Sequence, residues 1–301
     1  MNQILPLLRR EWLQHRFGWT LILLVPTALA VLGVSFGQIQ FDAEETTDKL
    51  PAALTLGALG ISMGVHLVMM WVTSLIIVTG LARRDHADRS VEFWLSLPVG
   101  HAKSLAVPLL THLLLAPVVA LLAGLVGGAL VSLVMVARVS GAGAWFALPW
   151  ATLLAAGLAL VARLSLGLVL ATVWLSPLVL LGVLLTAWFK RWGLVILAVG
   201  LGLGSVILER VFGQPLLSDL FTELLGRAGR SVTITNEGHF VIETFDDIQD
   251  LLSEVPRWAM VDASQALGLL ATPLLAGVLL ASAACFFMLV RWRQAGAGAA
   301  G

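Results

Sequence analysis

The chain has 301 residues, of which 59% are hydrophobic and 12% charged, with a formal net charge of zero and a mean hydropathy of +0.95. Such a composition excludes an ordinary water-soluble globular domain and is that of a polytopic membrane protein. The balanced charge gives no sign of a nucleic-acid partner, and the single cysteine, Cys285, excludes an intrachain disulfide.

Charge-free apolar runs cover residues 17–41, 50–82, 105–137, 139–162, 164–189, 192–208 and 263–290. Most approach the ~20 residues that a helix needs to cross hydrocarbon. The runs are continuous and do not alternate, which predicts helices and not barrel strands. Before the first run, residues 2–16 read as an amphipathic helix lying in the inner interface, with Ile4, Leu5, Leu8 and Trp12 toward lipid and the arginines toward headgroups. The apolar run continues past Ala30 and has spanning length, so it is read as a span and not as a cleaved targeting signal.

Basic residues fall in four clusters: Arg9, Arg10 and Arg16; Arg83, Arg84, Arg89 and Lys103; Lys190 and Arg191; Arg291 and Arg293. Basic residues next to spans are retained on the cytoplasmic side. Placing all four inside puts both termini in the cytoplasm and predicts six spans, at roughly 17–37, 56–82, 105–136, one within 148–189, 192–210 and 264–290. That count allows a single crossing between Val139 and Lys190, expected from about Leu168 to Phe189 after an interfacial or broken helix near Pro149–Arg163. Gly60-xxx-Gly64, Gly124-xxx-Gly128 and Gly200-xxx-Gly204 are candidate helix-contact faces.

The domain reading is therefore an N-terminal interfacial helix (1–16), spans one to five (17–211) with a cytoplasmic loop at 83–104, an insertion (212–262), and the last span with a cytoplasmic tail (263–301). The insertion carries nine acids against three arginines, which assigns it to the outer side. It is predicted to be a small α+β unit: Leu216–Leu225 has helical spacing, Ser231–Thr235 and His239–Glu243 flank Asn236-Glu237-Gly238 as a hairpin, and Asp246–Val255 is helical again. A lid or docking surface and a structural cover are both compatible with it.

No catalytic constellation stands out. Gly33-Val34-Ser35-Phe36-Gly37 has the spelling of a nucleophile elbow but ends a span, with no preceding strand. His66 and His112 lie inside apolar runs, where an ionisable side chain is a functional candidate. Each stands alone in the sequence, without a carboxylate, Cys or second His at ligand spacing, so a neutral ring bonded to a neighbouring helix is expected. With Arg163 they are the candidate polar residues of a transport path. The only lysines are Lys49, Lys103 and Lys190, and none follows a Gly-rich phosphate loop. Nucleotide-driven work would have to come from another chain.

The 83–104 segment, RRDHADRSVEFWLSLPVGHAKS, is a polar, amphipathic island between two spans. Read as a helix over Asp88–Leu97, it gathers Asp88, Arg89, Glu92 and Ser96 on one arc, sets Phe93, Trp94 and Leu95 around the rest, and ends at Pro98. The order of Arg9-Arg10-Glu11-Trp12 before the first span, then Asp85, Asp88-Arg89-Ser90, Phe93-Trp94 and Ser96-Leu97-Pro98-Val99 after the second, resembles permease subunits of bacterial ABC-2 type transporters. Trp174-Leu175-Ser176-Pro177 and Ala187-Trp188-Phe189-Lys190-Arg191 add to the likeness. Asp85 stands where the family has Glu, and Leu95 where it has Lys.

The resemblance implies an all-α, non-catalytic membrane subunit in the bacterial inner membrane, an exporter by family analogy. Its partners would be an ABC-type ATPase subunit, which alone binds ATP and Mg, and a second permease, identical or not. It also implies that Asp85, Asp88, Arg89, Ser90, Phe93, Trp94, Ser96 and Pro98 form a coupling helix seated on that ATPase. The competing readings are a secondary transporter or channel, an intramembrane enzyme, and a receptor or scaffold without ATPase coupling.

Overall fold

A computed structural model describes residues 4–37, 50–87, 100–233 and 247–298, and every regular element among them is helical. In chain order these are α1 (Ile4–Phe36), α2 (Leu50–Ala87) and α3 (His101–Leu110), the last continuing through a π turn (Thr111–Leu115) into α4 (Ala116–Val139). Next come the short α5 (Ala142–Phe146), α6 (Trp150–Phe189), a 3₁₀ turn (Lys190–Trp192), α7 (Gly193–Phe212), α8 (Leu216–Val232), α9 (Asp247–Gly268) and α10 (Pro273–Gly298).

Among the described residues, five stretches are long and apolar enough to cross a membrane: Ile4–Phe36, Leu50–Leu81, His101–Val139, Trp150–Phe212 and Pro273–Ala295. Hydrocarbon offers no water to the backbone, so continuous apolar sequence closes its hydrogen bonds within helices, and the chain is a multi-pass membrane protein. The fourth stretch is two helices. At Lys190 (φ 56°) the chain reverses, and α7 leaves so close to α6 that a Cβ on Gly193 would meet the Thr186 backbone at 2.4 Å.

The bundle is centred on α2 and α4, which run antiparallel with little between them. A Cβ on Gly124 would fall 2.6 Å from Met63 Cα, and one on Gly128 2.6 Å from Leu59 Cα. Gly124-xxx-Gly128 is therefore the contact face that the spacing predicted, whereas Gly60 and Gly64 face open space. Leu59, Met63, Leu121 and Leu125 continue this seam into Leu153 and Ala156 of α6 and Leu252 and Val255 of α9. At the other end, Val78, Leu81, Leu105, Leu109, Val183, Ala187 and Leu289 form a second core joining α2, α3, α6 and α10.

Four sequence expectations change. Residues 4–16, the described part of the segment expected as a separate interfacial helix, are the first turns of α1. The break expected near Pro149–Arg163 is absent: α6 runs unbroken for 40 residues. Its Arg163 is neutralised by Asp262 of α9, so the helix need not end at the charge. The last span begins at Pro273 and not at 264, because α9 continues to Gly268 and the chain turns before Pro273, whose missing N–H suits a helix start.

The insertion, finally, shows no strand among its described residues. Ser231 and Val232, predicted to open a hairpin, complete α8, where Ser231 Oγ donates to Arg227 O at 2.7 Å. Thr233 caps that helix, and the hairpin from residue 234 onward lies outside the described residues. The two predicted helices are present and longer than expected, as α8 and α9. They do not form a separate unit. Leu224 and Ala228 of α8 pack on Ala171 and Trp174 of α6 and Val278 of α10, while α9 lies along the first half of α6.

Candidate functional site

Among the described residues, three groups of buried ionisable side chains bear on function. The first lies at the end where α1 begins. Leu7, Glu11, His15 and Trp19 recur every fourth residue and so share one stripe of α1; Leu7 and Glu11 are buried and Trp19 nearly so. Facing them is His112, in the π turn. Pro117 supplies a local reason for that turn, since it has no N–H to donate back and its ring crowds the preceding carbonyls. The Ala116 N–H bonds instead to Thr111 O, five residues back.

His112 Nε2 donates to Glu11 Oε2 at 3.1 Å, with both side chains fully buried. His15 Nε2 lies 3.9 Å from the same oxygen. One ligand atom from each of Glu11, His15 and His112 can be chosen so that all three lie within 4.8 Å of one another. The His112 ring meets His15 edge-on at 4.9 Å and Trp19 at 5.4 Å between centroids. His112 Nδ1 and Trp19 Nε1 are buried with no hydrogen-bond partner among the described residues.

Midway along the apolar part of α2, His66 forms the second group and is 1% exposed. Its Nδ1 is 2.7 Å from Ser62 O, its Nε2 is 3.1 Å from Leu23 O of α1, and Thr27 Oγ1 is 3.4 Å from Nε2. A neutral ring has one N–H for these two carbonyls, whereas a protonated ring bonds both. The ring borders a largely apolar cavity of about 350 Å³ between α1, α2 and α4, lined also by Pro26, Ile61 and Val131.

In the third group Arg163 Nε donates to Asp262 Oδ2 and Arg163 Nη1 to Ser231 O at 2.9 Å, which joins α6, α8 and α9. The approach depends on Gly167, where a Cβ would lie 2.5 Å from Ser231 O. Arg163 Nη2 is buried with no hydrogen-bond partner among the described residues. Among the described residues, no hydrogen bond, ion pair or ring contact joins His66, His112 and Arg163 to one another.

Of the coupling residues expected from the loop, Asp85 falls in the last turn of α2; Asp88, Arg89, Ser90, Phe93, Trp94, Ser96 and Pro98 lie outside the described residues. The ends that flank the loop belong to the second core, where Leu81 and Leu105 pack with Ala187 and Leu289. That core gathers the C-terminal ends of α2, α6 and α10 with the start of α3, and the Glu11–His112 bond adds the start of α1. The helix ends that carry the four basic clusters are therefore neighbours.

Sequence reasoning missed Glu11, His15 and Asp262. For the first two a signal existed, the four-residue repeat from Leu7 to Trp19 that continues an interfacial stripe into the first span. Asp262 is one of nine acids in the insertion, and nothing local distinguishes it. Searches of family models, curated proteins and solved structures gave no match to this chain.

Proposed function

We propose that this chain is the membrane-spanning permease subunit of an ABC-2 type ATP-driven transporter in a bacterial inner membrane, acting as an exporter. Two permeases pair, and a separate ATPase binds ATP and Mg²⁺ and engages the 83–104 loop of each. The observation that carries the reading is the sequence of that loop: Asp88-Arg89-Ser90, Phe93-Trp94 and Ser96-Leu97-Pro98 fall between the second and third spans, whose flanking ends belong to the second core. A cytoplasmic position follows from the shared basic end of the bundle. Coupling requires a contact whose strength differs between two states, and an aromatic pair on a short helix is a rigid handle for one.

The test is affinity purification of the chain from detergent-solubilised host membranes, with a Phe93→Ala/Trp94→Ala variant alongside. An ATPase subunit recovered in stoichiometric amount and lost from a normally inserted variant supports the proposal. Absence of an ATPase from both preparations removes it. In the reconstituted complex, Trp94→Ala is expected to reduce transport-linked ATP hydrolysis while membrane insertion stays normal.

His66 favours one competing reading, a proton-coupled secondary transporter, because it is an ionisable group buried midway along a span beside a cavity. In that case transport would follow a pH gradient without nucleotide, and His66→Gln would abolish it.

A further inference from the structure

We propose that Glu11, His15 and His112 form a binding site for one divalent transition-metal ion of the Zn²⁺ class, seated between α1 and the π turn. The proposal stands apart from the transporter reading. Two imidazoles and one carboxylate are the donor set of a three-ligand zinc site that leaves a fourth position to water. Hard cations such as Mg²⁺ and Ca²⁺ prefer all-oxygen shells and are not suited to it. No thiolate takes part, because the only cysteine, Cys285, lies on α10.

The distances fit with small movements. Metal–ligand bonds of 2.0–2.2 Å in a tetrahedron place neighbouring ligand atoms ~3.3–3.5 Å apart. The Glu11–His112 separation is already 3.1 Å and the Glu11–His15 separation 3.9 Å. The remaining pair lies within 4.8 Å, so the two rings need close by little more than an ångström. His15 is one turn along α1 from Glu11 with a side chain 23% exposed, and His112 sits on the wider π turn, a type of local bulge that recurs at functional sites.

Two further atoms point to a ligand. His112 Nδ1 and Trp19 Nε1 are buried beside the cluster without a hydrogen-bond partner among the described residues, and buried polar atoms are ordinarily satisfied. A water on the fourth position of the ion would offer Trp19 Nε1 an acceptor. The partly exposed edge at His15 is the way in, beside Trp12 and Trp19, whose ring centroids lie 6.0 Å apart. A bound ion would tie the start of α1 to the third span, about two helical turns from the 83–104 loop, and so set how freely those two helices part.

The deciding experiment uses the full-length protein in lipid nanodiscs, stripped with a chelator and titrated with Zn²⁺ by calorimetry and with Co²⁺ by its visible absorption. One equivalent per chain is expected, with a Co²⁺ spectrum of four-coordinate type. His15→Gln is the main variant, because it changes a half-buried ring and leaves the Glu11–His112 bond in place; it should weaken binding by about tenfold or more. Glu11→Gln should do the same, whereas His66→Gln and His101→Gln should leave binding unchanged. A wild-type protein that binds no metal overturns the proposal. So does a His15→Gln protein that is monodisperse and binds as tightly as wild type.

Discussion

The Glu11–His112 cluster and the Arg163–Asp262 pair pose the same physical problem with different chemistry. Each joins helices about a hundred residues apart, and each buries charged or chargeable groups. Arg163 keeps its charge under all ordinary conditions, so its pairing with Asp262 and Ser231 O is a permanent requirement of the fold. His112 and His15 have ring nitrogens that can donate, accept or ligate, so the composition of their site can change while the helices remain in place. The first arrangement therefore fastens α6 to α8 and α9, and the second can respond to what it binds.

The sharpest way to break this comparison is to remove one partner from the fastening pair. Asp262→Asn leaves a buried guanidinium uncompensated and should destabilise the protein by about 3–5 kcal/mol. The double change Arg163→Met/Asp262→Leu should recover most of that loss; thermal unfolding in detergent reads both, and a neutral Asp262→Asn would show that the pair is not a requirement. Next in size is Gly124→Leu, which forces a side chain into the Met63 backbone and should cost about 1–3 kcal/mol or prevent the folded monomer, followed by size-exclusion profile.

A smaller effect is expected for Glu11→Gln, because the amide oxygen still accepts from His112. Here the stability loss should be about 1 kcal/mol, with metal binding affected far more than folding. Equal loss of both would make the cluster a fastening like its counterpart. Smallest is His66→Leu, which removes the ring's contacts to Leu23 O and Thr27 Oγ1 of α1 and should cost about 0.6 kcal/mol, measured by the same unfolding assay. An effect of several kcal/mol there would mark His66, and not Arg163, as the main polar fastening of the bundle.

Much of the helical framework was legible because bilayer thickness imposes a length on every apolar run. The reversal at Lys190-Arg191, the helices at Leu216 and Asp247, and the Gly124–Gly128 face could all be read from local pattern. The errors share a cause. The placement of the basic clusters predicted a broken or interfacial helix near Pro149–Arg163, whereas α6 runs unbroken and the partner that neutralises its Arg163 lies 99 positions later in the chain. Ser231 read as strand because its neighbours are β-branched, yet packing of α8 on Gly167 and Arg163 holds it helical.

The sequence by itself determined that the chain is a multi-pass helical protein, which ends of its spans are basic, and where a polar loop interrupts the apolar runs. These are properties of contiguous residues, set by hydropathy, charge and the satisfaction of backbone hydrogen bonds. Only the tertiary structure decided that Glu11 and His15 face His112, that Asp262 answers Arg163, and that Leu23 O meets His66. Such pairings depend on the rotation and register of one helix against another. Many side chains along two interfaces set those jointly, and no single residue records them.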